Sequence, residues 1–331
     1  MLIRTTFFPL LILLMLGTSA LATTFKIATV APEGSFWITE MRKAAATIEQ
    51  RTSGRVKFKF YPGGVMGNEK SVLRKIRIGQ LHGGMFTGGG LEDVSPDLRL
   101  YSLPLLFDNL DEVDHVRARF DDILIQRLAK DGFISFGFAE GGFAMFMGNN
   151  PIHGVNELRG RKVWVPEGDQ VYYRSMEALG LSPVPLPITD VLTGLQTGLV
   201  DIVAASPIGA LVFQWQTRVK HLATTPLSYI IGVFAIDKRS FRKVSPQDQQ
   251  VIHEVIEPIF KNFNLKNRED NRIALQTMID QGIQPIDQKP EEITELRTLT
   301  RKAVDEMSRD GLFNRDLWQQ MEDTLLAYRK H

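Results

Sequence analysis

Residues 162–205, KVWVPEGDQVYYRSMEALGLSPVPLPITDVLTGLQTGLVDIVAA, alternate between two kinds of patterning, and that alternation decides the fold class. Lys162–Val165 is a short apolar strand. Side chains alternate along a strand, so Val163 and Val165 share one face and Trp164 takes the other. Pro166-Glu167-Gly168 turns the chain. A helix over about 169–179 follows, then a strand at 183–185, a helix at 189–197 and a strand at 200–205. Strands separated by helices at this spacing form βαβ units, with parallel strands and helices packed on the sheet.

Working outward, the same rhythm precedes this stretch. Phe25–Val30 reads as a strand ending in Ala31-Pro32-Glu33-Gly34-Ser35, where Ser35 caps a helix to about Gln50. Val56–Phe60 is a strand, Asn68–Ile78 a helix stopped by Gly79, and 81–90 (LHGGMFTGGG) a strand breaking into a glycine loop. A helix at 111–129 and a strand at 133–139 complete a first unit with a largely parallel sheet. Downstream, Tyr229–Ile236 is a long apolar strand. Ser245-Pro246 then opens a helical pattern that runs to Gly282 and is interrupted only by Pro258. Unbroken, that helix is about 55 Å long at 1.5 Å per residue, long enough to lie across two domains. Helices at 290–309 and 313–329 close the chain.

Composition excludes several classes. The chain opens MLIRTTFFPLLILLMLGTSALATTFKI: one basic residue, an apolar run and a small-residue Ala20-Leu21-Ala22 site, the pattern of a cleaved export signal. Cleavage is expected after Ala22, with no Cys behind it to carry a lipid. Of 331 residues, 39 are basic and 38 acidic; loss of Arg4 balances them, so neither nucleic acid nor direct membrane anchoring is indicated. The absence of cysteine removes thiolate catalysis and Cys-based metal sites. Enzyme signatures fail in detail. GNEKS (67–71) lacks the glycine that a phosphate loop needs before Lys70, and His253-Glu254 meets Glu257 where a zinc helix needs His. No G-x-S-x-G elbow occurs, and the scattered His82, His153 and His221 form no metal triad. No cofactor and no metal are expected, and the protein is not expected to be an enzyme.

Three stretches resemble one family. YPGGVMGNEKSVLRKIRIGQLHGG with SPDLRLYSLPLLFDN, then NELRGRKVWVPEG, then VPLPITDVLTGLQTGLVD are similar, in order and spacing, to substrate-binding proteins of tripartite ATP-independent periplasmic (TRAP) transporters of the C4-dicarboxylate-binding, DctP-like type. The resemblance implies a two-lobed α/β clamshell with crossing strands and a long helix spanning both lobes. Its expected divisions are a signal peptide at 1–22, lobe I from 23–141 with 230–268, and lobe II from 142–229 with the C-terminal helices 283–331. The bridging helix is 245–281. It further implies a periplasmic protein that captures a small organic solute and delivers it to membrane permease subunits.

One departure stands out. In that family the position of Trp164 carries an arginine, whose planar fork pairs bidentately with a carboxylate. The second basic position matches uncharged Gly141-Gly142-Phe143-Ala144, and Ala204-Ala205-Ser206 follows Asp201. The expected solute is therefore apolar, aromatic or neutral. Strand ends and the resemblance together nominate Glu33, Phe36, Trp37, Phe86, Thr87, Gly88 and Phe107 from the first lobe. From the second come Phe143, Met145, Trp164, Glu167, Gln170, Tyr173, Ser206 and Tyr229. Core packing competes for the aromatics, and capping for the glutamates. Two alternatives stay open: a mono- or dicarboxylate binder using another cation, such as Arg174, or a metal; and a ligand sensor feeding a signalling partner.

Overall fold

A computed structural model describes residues 22–330; the expected signal segment therefore lies almost wholly outside the described residues. In chain order the elements are β1 (Thr23–Ala28), α1 (Phe36–Arg51), β2 (Val56–Tyr61), α2 (Glu69–Arg77), β3 (Gly83–Thr87), α3 (Leu110–Lys130) and β4 (Phe133–Gly148). Then come α4 (Val155–Leu158), β5 (Lys162–Pro166), α5 (Gln170–Ala178), β6 (Ser182–Leu186), α6 (Val191–Thr197), β7 (Ile202–Ala205) and α7 (Pro207–Val212). The chain ends with β8 (His221–Ala223), β9 (Ser228–Asp237), α8 (Lys238–Phe241), α9 (Pro246–Asp280), β10 (Gln284–Ile286), α10 (Pro290–Arg309) and α11 (Arg315–Tyr328). Side-chain caps fix the helix starts: Ser35, Asn68, Asp169 and Ser245 each accept from a backbone N–H in the first turn.

The strands run in the order β2-β1-β3-β9-β4-β7-β5-β6, with β8 joining β4 to β10. The largely parallel sheet expected from the βα rhythm holds only at the flanks, where β1 pairs with β2 and β3, and β5 with β6 and β7. At the centre β9 and β4 run antiparallel to their neighbours. β4 also extends nine residues past the expected end at 139, serving the first lobe's sheet along 133–144 and the second lobe's with 145–148. Its register shifts between Ser135 and Phe138 and again between Glu140 and Gly142. Such bulges bend and twist a strand, which lets one continuous β4 turn from one lobe into the next.

The long helix is α9, unbroken through Pro258. An interior proline costs a ladder hydrogen bond and clashes with the preceding turn. Packing offsets that cost. Ile252, Ile256, Phe260 and Phe263 are buried with Phe25, Ile27 and Phe234 of the first lobe, while Met278 is buried with Met147 and Val203 of the second. Between these ends α9 grips the crossing strand. Asn264 Oδ1 accepts from Glu140 N at 2.8 Å, Arg268 Nε donates to both Glu140 carboxylate oxygens at 3.1 and 3.0 Å, and Arg268 Nη1 donates to Asp114 at 2.8 Å. Asn271 donates to Gly141 O at 3.4 Å and accepts from Ile208 N at 3.2 Å. The spacing 264, 268, 271 is one helix face. Gly142 has φ +83, and a Cβ there would meet the Asn271 amide.

The C-terminal helices pack mainly on one helix each, with α10 contributing Leu296 to one core cluster and Val304 and Met307 to the other. α10 packs on α5, whereas α11 packs on α3, where Leu317, Met321 and Leu325 are buried with Phe120 and Leu124.

Candidate functional site

The C-terminal ends of β1 and β3 face those of β5 and β6, the position at which open α/β sheets bind ligands. Between them lies a cavity of about 50 Å³, lined by Val30, Asn68, Glu69, Lys70 and Thr87 from the first lobe. Trp164, Pro166, Glu167, Pro187, Ile188 and Thr189 line it from the second. Its rims touch. Asn68 Nδ2 donates to Glu167 at 2.5 Å, and Gln170 N donates to Glu92 at 3.1 Å.

Trp164 is 6% exposed. Its indole sits edge-on to Trp215, ring centres 5.0 Å apart, and packs with Met145 and Val203. Its Nε1–H donates to Leu186 O at 2.9 Å. The one polar atom of the side chain is thus committed to the backbone of the next strand, and what Trp164 offers the cavity is apolar ring surface.

Beside the cavity is a seam of buried charge. Glu69 accepts from Thr87 N at 2.6 Å and from Thr87 Oγ1 at 3.1 Å. Burial, reinforced by the nearby Asp169 charge and opposed by the Thr87 bonds, raises the Glu69 carboxyl to about 7. Burial likewise raises Asp169, with Arg99 opposing. Arg99 is 2% exposed, is ion-paired with Glu92, and is lowered by burial to about 10. The glycine loop has its reason here: a Cβ on Gly89 would collide with the Asp169 carboxylate, and one on Gly90 with the Glu69 carboxylate. Gly89 and Asp169 come from opposite lobes, so this contact spans the cleft.

Of the nominated residues, the structure brings Thr87, Trp164 and Glu167 together at the cavity. Gln170 sits on the rim through its backbone N–H. The others lie elsewhere. Glu33 is exposed and pairs with Arg42 at 2.7 Å. Trp37 is packed among Phe60, Phe234 and Phe263, and Phe36 lies edge-on to Phe263. Phe86, Phe107 and Tyr229 are first-lobe core; Tyr229 Oη accepts from Arg117 at 3.0 Å, with Phe143 edge-on to its ring. Gly88 is buried against Ile231, Met145 packs behind Trp164, Tyr173 lies on the second-lobe core, and Ser206 caps α7. Arg174 is exposed and bound to Asp310 at 2.5 Å, away from the cleft. The sequence nominates neither Val30 and Pro166 nor Asn68, Glu69 and Lys70 of the GNEKS stretch, nor Pro187-Ile188-Thr189, which the strand-end rule after β6 marks.

Two α/β lobes linked by crossing strands and closed on a small mixed cavity define a two-lobed solute-binding protein. More particularly, the chain belongs to the bacterial extracellular solute-binding proteins of family 7, DctP, whose model matches residues 27–310. It is 25% identical to the C4-dicarboxylate-binding periplasmic protein DctP of Rhodobacter capsulatus over 263 residues, 76% of each chain. Its fold matches a TRAP periplasmic solute binding protein from Desulfovibrio salexigens with bound orotic acid at TM-score 0.84 and 18% identity, covering 92% of this chain and 99% of that one. A Xanthobacter autotrophicus relative with bound β-D-galacturonate aligns at TM-score 0.80 and 20% identity, over 92% and 99% of the two chains. The family binds small organic solutes and works with membrane permease subunits; it is a transport component, not an enzyme family. Among the described residues no helix is long and apolar enough to cross a membrane, and no cluster of three acidic or histidine side chains is placed to hold a metal.

Proposed function

We propose that this chain, cleaved after Ala22 on export, is the periplasmic receptor that shuts on an organic solute and hands it to a TRAP permease. The ligand stabilises the shut form through contacts that the open form lacks. In this reading the first lobe is 23–141 with 230–268, the second is 142–229, and β4 with α9 forms the hinge. The solute lies against Trp164 and presents an apolar or aromatic face to it. The lining of the cavity carries this reading: it holds Trp164, Pro166, Pro187 and Ile188 and no arginine.

A second reading rests on Lys70, the one cation in the lining. It would hold a single carboxylate as a point charge, without the bidentate fit of arginine. The solved relatives bound to orotic acid and galacturonate favour this version, in which the solute is an aromatic or cyclic monoacid. Mass spectrometry of solute released from the purified protein, followed by calorimetry on stripped protein, tests both. Succinate is expected to give no heat of binding. Micromolar succinate affinity would overturn the argument from the missing arginine, and loss of acid binding in Lys70→Met would select the second reading.

A further inference from the structure

We propose that the outward face of α2, with the loop before it, is the surface on which the closed protein docks an acidic, apolar-tipped segment of its membrane permease. This rests on the permease reading above and assigns its contact surface. Arg74 and Arg77 are spaced i, i+3 on one face of the helix, while Val72, Leu73 and Ile76 face the core and Lys70 turns to the ligand cavity. Neither arginine has a carboxylate oxygen within ion-pair distance among the described residues. The chain as a whole balances its charges, so this pair is a local excess.

The helix macrodipole accounts for Arg74 and Arg77 in the last turn. It says nothing about the apolar groups beside them. Ile78 is 77% exposed and Val65 71%, the two most exposed large hydrophobic side chains among the described residues. Ile78 and Met66 share an open concavity with Arg74 and Arg77. Apolar groups ringed by unpaired arginines suit a partner that supplies carboxylates around a hydrophobic tip.

The same elements reach the other lobe. Asn68, which caps α2, donates to Glu167 of the other lobe, and Lys70 lies against Gly168. The docking face thus borders the seam between the lobes, so a permease that also touches the far rim would distinguish loaded receptor from empty.

The test uses full-length mature protein, fluorescently labelled, and lipid nanodiscs with and without the permease subunits. Arg74→Glu/Arg77→Glu is expected to bind loaded nanodiscs at least tenfold more weakly and with a shallower salt dependence, its melting temperature and solute affinity unchanged. Ile78→Ser should weaken binding without changing the salt slope. Equal binding by wild type and the charge-reversed variant would overturn the assignment. Equal binding of wild type to empty anionic nanodiscs would give the patch to the lipid surface and also overturn it. Failure of wild type to bind permease nanodiscs under any condition would remove the permease reading itself.

Discussion

Replacing Glu69 by Gln should make the protein more stable at pH 8 and much less so at pH 5. The Glu69 carboxyl is raised from its ordinary value of 4.5 to about 7 by burial, with the Asp169 charge adding to the rise. A raised carboxyl binds its proton more tightly in the native state, so its contribution is fully present below about pH 4.5 and is lost as pH climbs through about 7. At 1.36 kcal/mol per unit the full effect is about 3 kcal/mol. That is an upper bound, because parting the lobes rehydrates the carboxylate without unfolding the chain. A Gln side chain keeps an oxygen to accept from Thr87 N and carries no charge to desolvate. Urea unfolding of wild type and variant at pH 5, 6, 7 and 8 measures the difference directly. The comparison cancels Asp114, Asp248 and Glu254, whose arginine bonds lower their carboxyls and give the opposite slope. A variant-minus-wild-type difference that is flat with pH, or that makes Glu69→Gln worse at pH 8 than at pH 5, would refute the reasoning.

Gly89→Ala should hold the lobes apart at the Asp169 contact, reducing solute affinity at least tenfold in calorimetry while the unliganded melting temperature barely moves; full affinity would show that the seam need not shut. Arg268→Met strands Glu140, whose side chain is 1% exposed, and should cost about 3–5 kcal/mol in chemical denaturation; a loss under about 1 kcal/mol would mean that the crossing strand does not depend on this pair. Trp164→Ala should weaken binding of the released native solute by about 2–4 kcal/mol, and Trp164→Phe by much less, because the indole N–H serves Leu186 and not the solute.

How much of this was legible beforehand differs from element to element. α10 starts and ends where its Pro290 and its helical period place it, and α9 runs through Pro258 because the apolar spacing on both sides belongs to one stripe. The far half of β4 was not legible. Gly141-Gly142 has the look of a break between strands, and only the pairing of Phe143 with Tyr229, across some 85 residues, shows the pair to be a bulge within one strand. The site divides the same way. Trp164, Thr87 and Glu167 lie at strand ends, which a local pattern reveals. The seam of Glu69, Glu92, Arg99 and Asp169 joins residues from both lobes, and no spacing within one segment encodes a contact between residues so far apart in the chain. The aromatics Trp37, Phe107 and Tyr229 show the converse: an apolar ring near a strand end satisfies core and cleft equally until its neighbours are known.

The placement of β9 between β3 and β4 has a consequence for how this chain reaches its native state. β3 is complete by Thr87, yet its antiparallel partner starts at Ser228, roughly 150 residues later in the pairing register. Until β9 emerges, the first sheet holds only β1, β2 and β3, with an unsatisfied edge, and the α9 residues that cover it are not yet made. A chain so arranged has a long interval in which neither lobe is a finished unit. On the proposed export route that interval is useful, because the topology itself defers folding, and a circular permutant that brought β9 forward should fold sooner and be exported less efficiently.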